Sequence, residues 1–284
     1  MQTLCGLFGY TRQAYYKQLK SNNKEVIRED MIMMKVGHIR EQMPRAGGRK
    51  LYYMLNESGV SISRDRMFEL LRQNGMLVKK RRNYAVTTFS KHWMRKYPNL
   101  IRGFNFDMPN LLWVSDITYI PLGKGHAYLS LITDAYSRKI LGHYLSRNLT
   151  AEGPLEALGM ALTNASGTLT GLIHHSDRGI QYCCKEYVDM LKRHQIRISM
   201  TENGDPYENA LAERVNGILK TEWINLEHFD NYQQAKVRID EIIDLYNNLR
   251  PHMSCDMMTP AKAYQMSGEL KKHWRKKTAK QTSV

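Results

Sequence analysis

The chain has 284 residues, a formal net charge of +15 and an isoelectric point near 9.6, which suits one catalytic domain with appendages and a polyanionic partner. It holds no run of 18 apolar residues and no signal-peptide core, so neither a membrane span nor a secretory leader is expected. Four cysteines without a C-x-x-C pair exclude a disulfide framework and fit a reducing cytoplasm.

Charge is unevenly placed. Residues 1–105 carry 21 Lys and Arg against 7 Asp and Glu, residues 106–270 carry 15 against 20, and residues 271–284 add six basic residues and no acid. Nucleic-acid affinity is therefore expected at the two ends, with an acidic middle, and this segregation weighs against basic charge as mere solubilising surface.

In chain order, residues 1–44 read as a basic helical segment. Residues 4–17 resemble half of a helix-turn-helix, with a turn at Gly9 and a cap at Thr11. A fuller helix-turn-helix-like region occupies residues 45–78, with a helix from Arg49 to Ser58, an N-cap at Ser63 and a second helix from Arg64 to Asn74 that stops at Gly75. Arg64, Arg66 and Arg72 on that second helix are candidate DNA contacts, against the alternative of a small packing unit with a solvated basic face. A basic linker over residues 79–106 opens with Lys79, Lys80, Arg81 and Arg82, candidates for phosphate contact, while Trp93 is expected in the core.

From residue 107 the pattern becomes three strands, then helices alternating with strands. The run Leu111-Leu-Trp-Val-Ser-Asp-Ile-Thr-Tyr-Ile120 predicts a buried strand holding one charge, Asp116. Residues 127–135 and 139–147 predict two more, joined by hairpin turns. A helix over 151–164 leads to the strand Leu172-Ile-His-His-Ser-Asp177, a helix over 186–194 leads to a strand at 196–200, and Tyr207 to Trp223 predicts a helix bearing Glu213 and, seven residues on, Lys220. The expectation is a mixed five-stranded sheet with helices on both faces, followed by a helix over 233–247.

Two strand acids and one helix acid point to phosphodiester chemistry. An in-line displacement needs an activated nucleophile and a stabilised leaving oxygen, and two divalent ions about 4 Å apart serve both. Magnesium prefers carboxylate oxygens, water and substrate phosphate, so Asp116 is expected to be shared while Asp177 and Glu213 each complete one site. Rival acids have blander readings: Asp134 suits a turn hydrogen bond, and Asp205 and Glu208 suit loop polar groups. Arg250 suits either a phosphate clamp or a tie to the core, and His252 likewise. His174 and His175 with Cys183 and Cys184 match no common zinc spacing and are read as core and site lining.

The motifs Trp113-Val-Ser-Asp-Ile-Thr-Tyr119, Asp134-Ala-Tyr-Ser-Arg-Lys-Ile-Leu-Gly142, His175-Ser-Asp-Arg-Gly-Ile-Gln-Tyr182, Asn209-Ala-Leu-Ala-Glu213 with Lys220, Tyr246-Asn-Asn-Leu-Arg-Pro-His252 and Thr259-Pro260 stand in order along residues 98–260. Together, with 35 residues between Asp177 and Glu213, they resemble the integrase-core transposases of the insertion-sequence-3 family and, more distantly, retroviral integrases. The resemblance implies an RNase H-like catalytic core over residues 107–252 and a basic tail over 253–284. It implies a catalytic triad of Asp116, Asp177 and Glu213, with Lys220 as a DNA contact. It also implies two Mg²⁺ ions per site, with Mn²⁺ able to substitute, and double-stranded DNA as substrate at element ends and target. A homo-oligomeric synaptic complex, an upstream-frame helix-turn-helix protein or fusion, and a bacterial cytoplasm with nucleoid association complete the expectation. Glu208, where relatives commonly carry Asp, and Arg45-Ala-Gly-Gly-Arg49 depart from the family pattern without touching the triad. A silent DNA-binding protein, or a nuclease of the same fold outside transposition, is the alternative.

Overall fold

The computed structural model describes residues 2–79, 94–202 and 209–273. The chain divides into two compact units, Met1–Lys80 and Arg81–Val284. Lys80, Arg81, Arg82 and Trp93 lie outside the described residues, as do Asp205 and Glu208.

The first unit is helical. Helix α1 (Gln2–Leu7) ends ahead of Gly9, whose φ of 72° is a left-handed turn that glycine takes without strain. Thr11 then caps α2 (Arg12–Gln42) by accepting from Ala14 N at 3.1 Å. Helix α2 runs for 31 residues, inside the helical segment expected over residues 1–44, and is one continuous helix from Arg12 past the half of a helix-turn-helix read at residues 4–17. Only Ile32 and Val36 are buried along it, so most of the helix has no core-facing side.

Helix α3 (Gly48–Glu57) buries Leu51 and Leu55, and α4 (Arg64–Gln73) buries Met67, Leu70 and Leu71. Ser63 caps α4, accepting from Arg66 N at 3.3 Å. Gly75, at φ 65°, closes it while Met76 N returns to Leu71 O at 2.7 Å. The two helices approach closely at Gly48, where a Cβ would stand 2.9 Å from the Phe68 ring.

The second unit is built on one five-stranded sheet in the order β3-β2-β1-β4-β5. Strands β1 (Leu112–Pro121), β2 (His126–Asp134) and β3 (Ile140–Ser146) form an antiparallel meander, and β4 (Ile173–Ser176) and β5 (Arg197–Met200) add in parallel on the other side of β1. This is the mixed sheet expected from the sequence. As the central strand, β1 is covered on both faces and reads as a nearly continuous apolar run. Trp113 joins the larger core cluster with Leu158, Tyr187 and Leu191, from α5 (Glu152–Asn164) and α7 (Lys185–Arg193). Its neighbours Leu112 and Val114 join a second cluster with Ala212 of α8 (Ala210–Glu222), since successive side chains alternate faces. Fully burying one such side chain contributes about 1.5–3 kcal/mol.

Between β4 and α7 lies a short helix that the sequence pattern does not announce, α6 (Ile180–Cys183). Helix α9 (Tyr232–Asn248) follows a 3-10 turn at Ile224–Leu226. Packing continues past residue 252: Cys255, Ala263 and Tyr264 are buried, and Tyr136 donates to Gly268 O at 2.9 Å. Helix α10 (Pro260–Ala263), capped by Thr259, belongs to this stretch. Among the described residues no helix is long and apolar enough to cross a membrane.

Candidate active site

Asp116 sits on β1 two residues beyond the last position paired with β4, Val114 opposite His175. Asp177 directly follows β4. Sheet pairing therefore delivers both acids to one edge of the β1–β4 junction, because parallel strands carry their carboxyl ends to the same side. Glu213 enters from the first turn of α8, which is anchored to β1 by Asn209: its side-chain Nδ2 donates to Ser115 O at 3.2 Å. Ser115 is held in turn, donating to Leu131 O at 3.0 Å and sharing a 2.9 Å hydrogen bond with the Tyr182 hydroxyl from α6. The strand position before Asp116 and the helix after Asp177 are thus tied together.

The carboxylates have distinct surroundings. Asp116 Oδ2 accepts from Asn216 Nδ2 at 2.8 Å and Oδ1 from its neighbour Ile117 N at 2.9 Å. Burial and the nearby Asp177 push its pKa up to about 7 against those two hydrogen bonds, and Glu213 adds to the rise. Asp177 Oδ1 accepts from Gly179 N at 2.9 Å, and a Cβ at Gly179 would stand 3.0 Å from that same oxygen. A side chain at 179 would crowd the acid. Glu213 is exposed, and burial of its carboxyl together with Asp177 raises its pKa as well.

Lys220 is half-buried on α8, and burial lowers its pKa while Asp116 opposes that shift. Glu213, Asn216 and Lys220, at spacings of three and four, fall on one face of α8 directed at Asp116. Asn216 is the residue that sequence reasoning missed. Its position between Glu213 and Lys220 on the same stripe was the available signal.

Asp177 adds to the raised pKa of both Asp116 and Glu213, a repulsion that a divalent cation would relieve. Asp116 forms no ion pair among the described residues. No three His, Cys, Asp or Glu side chains among those residues stand close enough to hold an ion on their own, so other oxygen ligands would have to complete the shell.

Other candidates are placed differently. Arg250 is buried, donating from Nε to Glu222 Oε2 at 2.8 Å and from Nη2 to Oε1 at 2.7 Å, which favours the tie to the core over the phosphate clamp. Arg66 bridges Glu29 on α2 and Glu69 on its own helix. Arg64 pairs with Asp65 at 2.8 Å on the surface, and Arg72 and Lys79 are exposed. Asp134 is a turn residue: Oδ1 accepts from Ser137 N at 2.8 Å and Oγ at 2.6 Å, and Oδ2 from Asn110 N at 2.9 Å. His174 Nε2 meets the Tyr187 hydroxyl at 2.9 Å, and His175 Nδ1 meets Ser199 Oγ at 2.8 Å. Cys183 Sγ lies 3.7 Å from Met200 Sδ. His252 Nδ1 meets Ser254 Oγ at 2.6 Å.

Two family models, both described as integrase core domain, match residues 107–206 and 194–260. The chain is 34% identical over 263 residues to the insertion element IS600 uncharacterized 31 kDa protein of Shigella sonnei, covering 91% of this chain and 96% of that one. It is 28% identical over 266 residues to the transposase InsF for insertion sequence IS3A of Escherichia coli strain K12, covering 92% of each. Among solved structures, the HTLV-2 integrase catalytic core domain in complex with magnesium superimposes with a TM-score of 0.42 at 19% identity, over 56% of this chain and 98% of that one.

Proposed function

Because the chain belongs to the insertion-sequence-3 family of integrase-core DNA transposases, we propose that Asp116, Asp177 and Glu213 are its catalytic acids for cutting and joining at the ends of an insertion sequence. What supports this reading is that Asp116 on β1 and Asp177 at the end of β4 emerge side by side at the β1–β4 junction, that Glu213 lies in the first turn of α8, and that Asp116 is pushed up to about 7 by burial and by Asp177. Polynucleotidyl transfer with a divalent metal is the chemistry of the family. Two Mg²⁺ ions, or Mn²⁺ in their place, would be held by Asp116 in common and by Asp177 and Glu213 separately, and would activate the nucleophile and stabilise the leaving oxygen.

The chain's own residues orient this set. Asn216 holds Asp116 Oδ2 in one direction, and Gly179 leaves Asp177 uncrowded. Lys220 puts a cation beside Asp116, where a scissile phosphate would lie. Double-stranded DNA is the substrate in this reading, at the element ends and at the target. Residues 45–78 and the linker from Lys79 supply sequence-independent grip through Arg64, Arg72 and the basic run. Arg66 supports that unit from within through Glu29. Assembly as a homo-oligomer on paired ends, an upstream-frame partner, and action on nucleoid DNA in a bacterial cytoplasm complete the proposal.

The test is incubation of the purified chain with labelled DNA bearing the element's ends, in Mg²⁺, Mn²⁺ or EDTA, beside Asp177→Asn. Nicking and joining should need metal and vanish in the variant, while salt-sensitive DNA binding persists. Substantial Mg²⁺-dependent cutting by Asp177→Asn would overturn the assignment. DNA binding without cutting by the wild type would favour a silent binder, unless an added upstream-frame product restores it.

A further inference from the structure

Helix α2 extends well beyond what its own unit covers. Ile32 and Val36 are buried near its C-terminal end, whereas every residue from Arg12 to Arg28 is exposed. Within that bare stretch and just past it, Arg12, Tyr16, Leu19, Asn23, Val26 and Asp30 recur at alternating intervals of four and three. Those intervals keep one stripe of a helix against a partner helix, and three of the six positions, Tyr16, Leu19 and Val26, are apolar. Tyr16, Leu19 and Val26 are 46%, 44% and 57% exposed, so the apolar part of the stripe faces solvent.

Intervals of four, three, four, three and four are symmetric about their midpoint, here residue 21, so an antiparallel copy would meet the stripe in register. Arg12 and Asp30 are equally distant from residue 21, and so are Tyr16 and Val26, and Leu19 and Asn23. Tyr15 and Ile27, which broaden the stripe, obey the same relation. Two copies running antiparallel about residue 21 would set Arg12 of each against Asp30 of the other, tyrosine against valine, and leucine against asparagine. Parallel copies would instead stack Arg12 on Arg12 and Asp30 on Asp30, which like-charge repulsion disfavours. Arg12 already lies along the stripe, its guanidinium 5.7 Å from the Tyr16 ring centre.

We propose that the N-terminal part of α2 pairs antiparallel with α2 of a second copy of this chain, about a twofold axis passing near residue 21. Arg12 and Asp30 select the direction, and Tyr16, Leu19 and Val26 supply the buried contact, with Asn23 facing Leu19 at a cost in stability. The proposal rests on α2 alone and is independent of the assignment of the catalytic acids.

Sedimentation equilibrium on the full chain tests it, with DNA affinity measured in parallel by fluorescence anisotropy and helix content by circular dichroism. Arg12→Glu and Leu19→Glu should each weaken self-association about tenfold or more. The double charge swap Arg12→Glu with Asp30→Arg should recover it to within about threefold of wild type, since it restores opposite charges only in the antiparallel arrangement. The substituted side chains are exposed, so helix content should hold. A wild-type chain that stays monomeric, single variants that associate unchanged, or a double swap that fails to recover would overturn the proposal. Lost DNA binding with unchanged association would assign the stripe to nucleic acid instead.

Discussion

Asn216 donates to Asp116 Oδ2 at 2.8 Å, while its own Oδ1 is buried and accepts no hydrogen bond among the described residues. It directs the Asp116 carboxyl from a buried position on α8. A hydrogen bond to a charged group is worth about 1.5–3 kcal/mol, so Asn216→Ala should slow DNA joining roughly 10- to 100-fold while the melting temperature changes little. Joining kinetics beside a thermal melt decide this, and unaltered joining would remove Asn216 from the site. His174 behaves oppositely, as a residue of the fold. Burial, reinforced by His175, lowers its pKa from 6.5 to about 3, and the neutral ring meets the Tyr187 hydroxyl. A depressed folded pKa means stability that is complete above the unfolded value near 6.5 and is lost as pH falls toward about 3. His174→Gln should flatten the decline of melting temperature from pH 7 to pH 5; an identical slope would place the acid sensitivity elsewhere.

At the scale of elements, what the sequence made legible follows from local pattern. Strand β1 was readable because a central strand is apolar on both faces, which made Asp116 conspicuous within it. Helix α8 was readable from Leu211, Val215, Ile218 and Leu219, and it fixed Glu213 and Lys220 on one side. That residues 12–42 form one unbroken helix within the helical segment expected over residues 1–44 was not readable, because only Ile32 and Val36 of it are buried and no core-facing side marks its extent. The roles of Arg66 and Arg250 were also hidden. Glu29 lies 37 residues before Arg66, and Glu222 lies 28 before Arg250, so only the fold shows that these charges are already engaged. The ion pair of Glu222 and Arg250 joins the ends of α8 and α9 in buried surroundings. Removing one partner of such a pair typically costs about 3–5 kcal/mol, so Arg250→Ala should lower the unfolding free energy by roughly that amount in denaturant titrations. An Arg250→Ala chain of normal stability but weakened DNA affinity would return Arg250 to the phosphate-clamp role.

For the whole molecule, the separation of charge and chemistry is the property to explain. The acids gather on a unit whose residues 106–270 are net acidic, while the excess of Lys and Arg lies before and after it. An acidic site attracts cations and repels bare phosphate, so a chain that must hold DNA there gains by placing its grip outside the site. This division was legible from composition alone, because it depends on where charges lie along the chain and not on how they pair. Which basic residues grip is a finer matter, since Arg66 and Arg250 proved to be engaged within the protein. The run from Lys79 to Arg82 is the densest cationic segment of the linker. Replacing all four with Ala should weaken binding to every DNA sequence alike and reduce the slope of log affinity against log salt by about 0.9 for each phosphate no longer neutralised. Titrations of specific and unrelated duplexes across a salt series supply both quantities. If the slope holds while affinity for element ends alone declines, the linker reads sequence, and the nonspecific grip must lie in the helical unit or the C-terminal basic run.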